Sequence, residues 1–264
     1  MRNRLIAFGS IAVLLLAVAP AFGQGQAYRA PRGPDGHPDL NGIWQAINTA
    51  NWDLEAHAAK ESPIVEAGTL LAEPGGLSVV DGGTIPYLPQ ALEKKKANQQ
   101  HWLELDPEVR CYLPGVPRAT YMPYPFQIFQ SEKYLAIAYE YDSAFRNIYL
   151  KDPGPAPVDT WMGQSYGHWE GETLVVDVTG LDERTWFDRA GDYHSDQLHV
   201  VERYTPVAPN ILNYEATVED PKVFSRPWKI SMPLYKHAEK NAQLLEFKCV
   251  EFVEELMYGK YRKK

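Results

Sequence analysis

From residue 121 onward the chain falls into short runs rich in Tyr, Val, Ile and Thr, each closed by a turn signal. The runs lie near 124–130, 133–141, 144–150, 173–179, 197–205, 211–219, 227–234 and 243–253. Eight or nine strands with short links, and no helix-length segment between them, predict an antiparallel meander rather than parallel β-α-β units. A meander has to hide its edges, and closing into a barrel does so; a curled β-sandwich is the alternative. Upstream, a first strand is expected from Asp39-Leu40-Asn41-Gly42-Ile43-Trp44, after a Gly- and Pro-rich arm over 24–39. Residues 50–90 carry too many Pro and Gly for long regular elements and read as excursions and turns. One helix is expected from Pro89 to Glu104, with Pro tolerated in its first turn and Ala, Leu, Glu, Lys and Gln after it. Its Glu93-Lys94-Lys95-Lys96 run reads as a solvated face. The domain division is therefore an arm, first strand, excursion and helix over 24–120, packed on an antiparallel barrel over 121–264.

Composition adds a compartment. With 45% hydrophobic and 23% charged residues, the 264-residue chain is neither disordered, collagenous nor a coiled coil. Arg2 and Arg4, an apolar run from Leu5 to Ala19 and the small residues Ala19, Ala21 and Gly23 read as a secretory leader over 1–23. The run is roughly 15 residues, shorter than the roughly 20 that span a bilayer, so no integral membrane anchor is expected. Without Arg2 and Arg4, 24 of the 26 basic residues face 34 acidic ones, a net charge of about −10. Nucleic acid is a poor partner for such a surface. In an oxidising compartment the two cysteines, Cys111 and Cys249, most economically form one disulfide; two separate buried thiols are the alternative. A periplasmic or secreted protein is the expectation.

Gly42-Ile43-Trp44 ahead of the meander is similar to the Gly-x-Trp at the first strand of lipocalin-type barrels, which implies a lipocalin-like barrel with the Trp closing one end. Asp35–Trp44, Cys111–Arg118, Trp169–Val176 and Pro221–Trp228 resemble an uncharacterised family of exported bacterial proteins. That resemblance implies compartment and membership, and no activity.

Candidate chemistry concentrates between Trp186 and Arg203. Asp188, Arg189, Asp192, His194, Asp196, His199, Glu202 and Arg203 supply the groups that proton transfer needs. In a strand over 197–205, alternation puts His199, Val201 and Arg203 on one face and Leu198, Val200, Glu202 and Tyr204 on the other. His199 then faces either the cavity or solvent, and alternation does not choose between them. His194 follows a turn-rich loop and is the candidate base, with Asp188 as its orienter and Arg146 or Arg203 as anion stabiliser. Glu140 and Arg146 flank a hairpin turn and either pair across strands or join Tyr139, Tyr141 and Tyr149 in an ionisable aromatic patch. Tyr121, Tyr124, Trp161, Trp169, Trp186 and Trp228 either line a pocket for a flat apolar ligand or build the core. No standard zinc spacing, nucleophile elbow, phosphate loop or dinucleotide fingerprint occurs, so no metal and no cofactor are expected. Gly163-Gln164-Ser165-Tyr166-Gly167 reads as a turn.

The sequence supports two functions of different kinds. One is a cofactor-independent lyase, hydratase or isomerase on a small aromatic or apolar molecule, with ligand contacts from Glu140, Tyr141, Tyr149, Tyr121 and Trp186. The other is a binding or carrier protein with the same pocket and no productive acid and base.

Overall fold

The computed structural model describes residues 28–62 and 72–250. The leader expected over 1–23 lies outside them. Nine strands form one closed barrel in sequence order: β1 (Gly42–Ala46), β2 (Phe126–Gln130), β3 (Leu135–Tyr139), β4 (Phe145–Tyr149), β5 (Gln164–Glu170), β6 (Thr173–Thr179), β7 (His199–Ala208), β8 (Ile211–Glu219) and β9 (Trp228–Lys236). The three α-helices among the described residues are short: α1 (Pro89–Gln100), α2 (Trp102–Leu105) and α3 (Arg118–Tyr121). Among the described residues no helix is long and apolar enough to cross a membrane.

The expected meander is antiparallel at every step but one. A closed ring of nine strands cannot keep all neighbours antiparallel, because alternation of direction needs an even number. The odd step falls between β4 and β5, which run parallel and pair through just Ile148↔Ser165 and Tyr149↔Tyr166. By contrast β5 and β6 pair over seven positions. The barrel therefore has a thin seam between β4 and β5. The first strand belongs to the wall as well: β1 pairs with both β2 and β9, so the barrel is not confined to 121–264.

Two expected elements differ. Residues 163–167, expected to be a turn, instead enter β5, which runs over Gln164–Glu170. Its Gly167 is not there to turn the chain: a Cβ at that position would sit 2.6 Å from Ile148 Cγ2, so the glycine allows close approach across the seam. The strand expected over 243–253 does not form in 243–250, and 251–253 lie outside the described residues. The reason is topological: β9 already pairs with β1, and no edge is left to extend. This segment instead crosses the outside, where the Leu245 amide donates to Glu140 Oε2 and Phe247 packs against Tyr124 and Tyr141. A disulfide, Cys111–Cys249, fastens it, as expected.

Alternation sets the interior. In β7 and β8 buried and partly exposed positions alternate, so Val200, Glu202, Tyr204, Leu212, Tyr214, Ala216 and Val218 point inward. Trp44 is buried, its Nε1 donating to Leu40 O. The excursion, helices and the loop between β6 and β7 pack over the barrel. Helix α1 begins with Pro89 in its first turn and contributes Ala91 and Asn98 as its buried residues. Its charged run is not uniformly solvated, since Lys95 is half-buried and turned towards Asp192, 3.8 Å away.

Candidate functional site: a polar cluster inside the barrel

Apolar side chains fill most of the barrel, with one polar island. Arg146 on β4 and Glu202 on β7 are both fully buried and form an ion pair through Nη2 and Oε2. Arg146 Nε donates to Ser165 Oγ on β5 at 2.7 Å. Glu202 Oε1 accepts from the Tyr204 and Tyr214 hydroxyls at 2.9 and 2.8 Å. Burial, reinforced by the Glu202 charge, pushes both phenols well above the usual tyrosine range. Burial alone would lower the Arg146 guanidinium, but Glu202 with Tyr139 and Tyr204 holds it above its ordinary value. Arg146 therefore keeps its proton, and it faces the Glu202 carboxyl group.

Satisfaction of this island is incomplete. The Tyr139 hydroxyl lies beside Arg146 and Thr120, and Tyr204 lies beside Thr120. Yet Arg146 Nη1, Tyr139 Oη and Thr120 Oγ1 have no hydrogen-bond partner of good geometry. Buried polar groups normally find partners, and these three lie close enough to one another to bond among themselves after small side-chain shifts. On the outside, a cleft of about 220 Å³ opens at the β4–β5 seam. Arg146 and Ser165 line it together with Tyr149, Val158 and Met162. Phe145, Tyr149 and Val158 are exposed at its rim.

A second network caps the barrel. Arg118 on α3 makes a two-bond pair with Asp106 at 2.8 Å and donates from Nε to Asn51 Oδ1 at 2.9 Å. Arg189 pairs with Glu108 at 2.8 Å and lies over the rings of Trp52 and Trp102. Beside it Asp53, Asp188 and Asp192 bring carboxylate oxygens within 4.8 Å of one another, the group among the described residues that could hold a cation. Here Tyr87 donates to Asp192 Oδ1 at 2.7 Å. Burial, and then the charge of Asp192, raises Asp188 well above the carboxylate range and raises Asp53 as well.

The expected His194–Asp188 dyad is not formed. Asp188 accepts the amides of Leu54 and Asp192, at 2.9 and 3.2 Å, one on each oxygen. His194 Nδ1 faces Ser195 O at 2.8 Å; a carbonyl can only accept, so Nδ1 carries a proton, while Nε2 lies 2.5 Å from Thr185 Oγ1, a hydroxyl that also donates to Asp182 O at 3.1 Å. Burial lowers its pKa, so the ring is a neutral strut of the β6–β7 loop. His199 and Arg203 point away from the cavity, because the barrel takes the Leu198, Val200, Glu202, Tyr204 face inward. His199 meets Asp177 at 3.2 Å and Arg203 meets Glu170 at 2.9 Å, both on the outer wall.

Arg146 does not pair with Glu140: the β3–β4 register sets Ile137 opposite Arg146, and Glu140 lies beyond the end of β3. Tyr121 and Tyr141 are buried struts, donating to Phe187 O at 2.8 Å and Glu108 O at 3.1 Å. Trp186 is buried in the β6–β7 loop. Of the expected site residues, Arg146 and Tyr149 reach the seam. Glu202, expected only as one member of the proton-transfer cluster, is the centre of the island, and an acid on the face carrying Leu198, Val200 and Tyr204 is the signal for it. Arg118, Asp106 and Glu108 had no such signal. No family model, no curated protein and no solved structure matches the chain.

Proposed function

We propose that the protein binds one small neutral molecule, about a single ring in size, that presents a carbonyl or hydroxyl oxygen to the interior of the barrel. The observation that carries this reading is the buried trio Arg146 Nη1, Tyr139 Oη and Thr120 Oγ1, close to one another but without hydrogen bonds of good geometry, of which Arg146 lines the seam cleft. Two of the three can donate without carrying net charge, and the third belongs to a guanidinium already neutralised by Glu202. A neutral acceptor suits such a site better than a second full anion would. An apolar cavity of roughly 150 Å³ holds a benzene ring, so a cleft of about 220 Å³ suits a ligand of that class. Used this way the barrel would work as lipocalin-type barrels do, with one ligand at its interior. The disulfide and the expected leader support an exported carrier, in keeping with the resemblance to exported bacterial proteins.

The second reading is acid and base catalysis, a lyase or isomerase centred on Glu202 and Arg146 instead of His194. It rests on a carboxylate, two phenols and a guanidinium sharing one dry interior. Against it, Glu202 already accepts from both phenols and from Arg146, which leaves a poor base. Binding is the better-supported function.

The test uses the purified full chain. Native mass spectrometry looks for a co-purified small molecule, and titration with acetophenone and benzyl alcohol measures affinity by calorimetry. Val158→Trp, at an exposed position on the rim, fills the cleft without touching the core and should abolish binding. Tyr139→Phe should weaken it by about five- to tenfold, the usual worth of one neutral hydrogen bond. Saturable binding that Val158→Trp leaves intact would sink the seam as the entrance. Turnover of the bound molecule, lost in Glu202→Gln, would instead select the catalytic reading.

A further inference from the structure

A second cleft, of about 400 Å³, lies where α1 and the Pro107–Arg110 turn meet the loops before β5 and after β6, on the other side of the 158–163 loop from the seam residues Thr160 and Met162. Its walls are aromatic. Tyr112 and Trp161 stack in parallel with ring centroids 4.6 Å apart, and the Arg184 guanidinium sits 4.5 Å over the Trp161 ring. Trp186 adds a third ring. Tyr112 is 43% exposed, a large planar surface left open beside the rigid point that Cys111 makes with Cys249.

The lining is also cationic in a chain whose formal net charge is −8. Lys94, Arg110 and Arg184 line the cleft against one carboxylate, Glu183. Arg184 is shared with Asp182 at 2.5 Å, and Arg110 donates to Glu104 O. Lys94 makes no ion pair among the described residues; its ammonium lies 4.2 Å over the Tyr193 ring. Stacked rings beside an uncompensated ammonium favour a ligand that is flat and negatively charged at one edge.

We propose that this cleft is a binding site for a planar aromatic carboxylate, its ring against the Tyr112–Trp161–Trp186 walls and its carboxylate at Lys94 and Arg110. The site differs from the barrel interior in place and in sign: the interior pair is neutral and takes a neutral oxygen, whereas this cleft takes an anion. Nothing in it depends on the seam being occupied.

The experiment titrates the full chain with 2-naphthoate, following the fluorescence of the cleft tryptophans and calorimetric heat. Parallel titrations use 2-naphthalenemethanol, flat but neutral, and cyclohexanecarboxylate, charged but not flat. The expected result is saturable binding of 2-naphthoate about tenfold or more tighter than of either control. Lys94→Gln, at an exposed position of α1, should weaken it about three- to tenfold with an unchanged melting temperature. Trp161→Ala should abolish it, with circular dichroism checking that the variant is folded. Val158→Trp, which fills the seam, should leave it unchanged. No saturable binding, equal affinity for the neutral alcohol, indifference to Lys94→Gln, or loss in Val158→Trp would each overturn the proposal.

Discussion

At the scale of single residues, Arg146 and Glu202 are each acceptable inside the barrel because of the other. Removing one leaves an uncompensated buried charge, so Arg146→Met should destabilise the protein by about 3–5 kcal/mol in urea unfolding. Adding Glu202→Gln to Arg146→Met keeps an acceptor for Tyr204 and Tyr214 while removing the charge, and should recover about 2 kcal/mol or more of that loss. A single variant costing under about 1 kcal/mol would contradict a dry, paired interior. His194 gives a pH signature. Its folded pKa lies below the ordinary 6.5, so as pH falls the unfolded chain takes the proton first. Its contribution is therefore intact above that value and is lost as pH falls from there towards the folded pKa. Between about pH 8 and pH 5 the wild type should lose more unfolding free energy, or gain less, than His194→Gln does, because Asp188 and Asp53 with raised pKa values act in the opposite sense in both proteins. His194 was readable as a base candidate on a turn-rich loop, but neither its burial nor its partners were. Thr185 lies nine residues away in sequence and Ser195 is its neighbour, and either could have turned elsewhere.

At the scale of elements, β6 and β8 run over the residues expected of them, because their alternation is clean and turns close them at both ends. Strand β5 was hidden. Its glycine and its polar residues carry turn chemistry, and what makes Gln164–Glu170 a strand is pairing with β6 over seven positions. On its other side the same strand approaches β4 so closely that Gly167 has no room for a side chain. Gly167→Val should force Ile148 aside and destabilise by about 1–3 kcal/mol, read by urea denaturation. If the variant matched the wild type, the seam would be looser than its two paired positions indicate. Helix α1 was legible from composition alone, yet its role was not: Lys95 turns from the solvated run towards Asp192, a carboxylate supplied by a loop 97 positions further along the chain.

At the scale of the whole molecule, one covalent link closes a loop with a sequence separation of 138, tying the capping turn to the segment that crosses the outer wall. On the chain-entropy account such a loop stabilises by roughly 5 kcal/mol, so replacing Cys111 and Cys249 together by Ala should lower the unfolding free energy by up to that amount. The measurement is urea denaturation of wild type and double variant; reductant should lower the first towards the second, and equal stability of all three would refute the assignment. Alternation, turn residues and the cysteine count determined a mainly β chain, a barrel and one bridge, since each of these is a local or pairwise property written along the chain. Which strand face turns inward is a different kind of fact. A strand such as β7 carries Glu202 among apolar residues on one face and His199 with Arg203 on the other, and local chemistry gives both faces a claim to the interior. The choice was made when nine strands closed into one ring, brought Arg146 from β4 across to Glu202, and placed the odd parallel step at β4 and β5. Closure is a collective constraint on all nine strands at once, and no window of the sequence contains it.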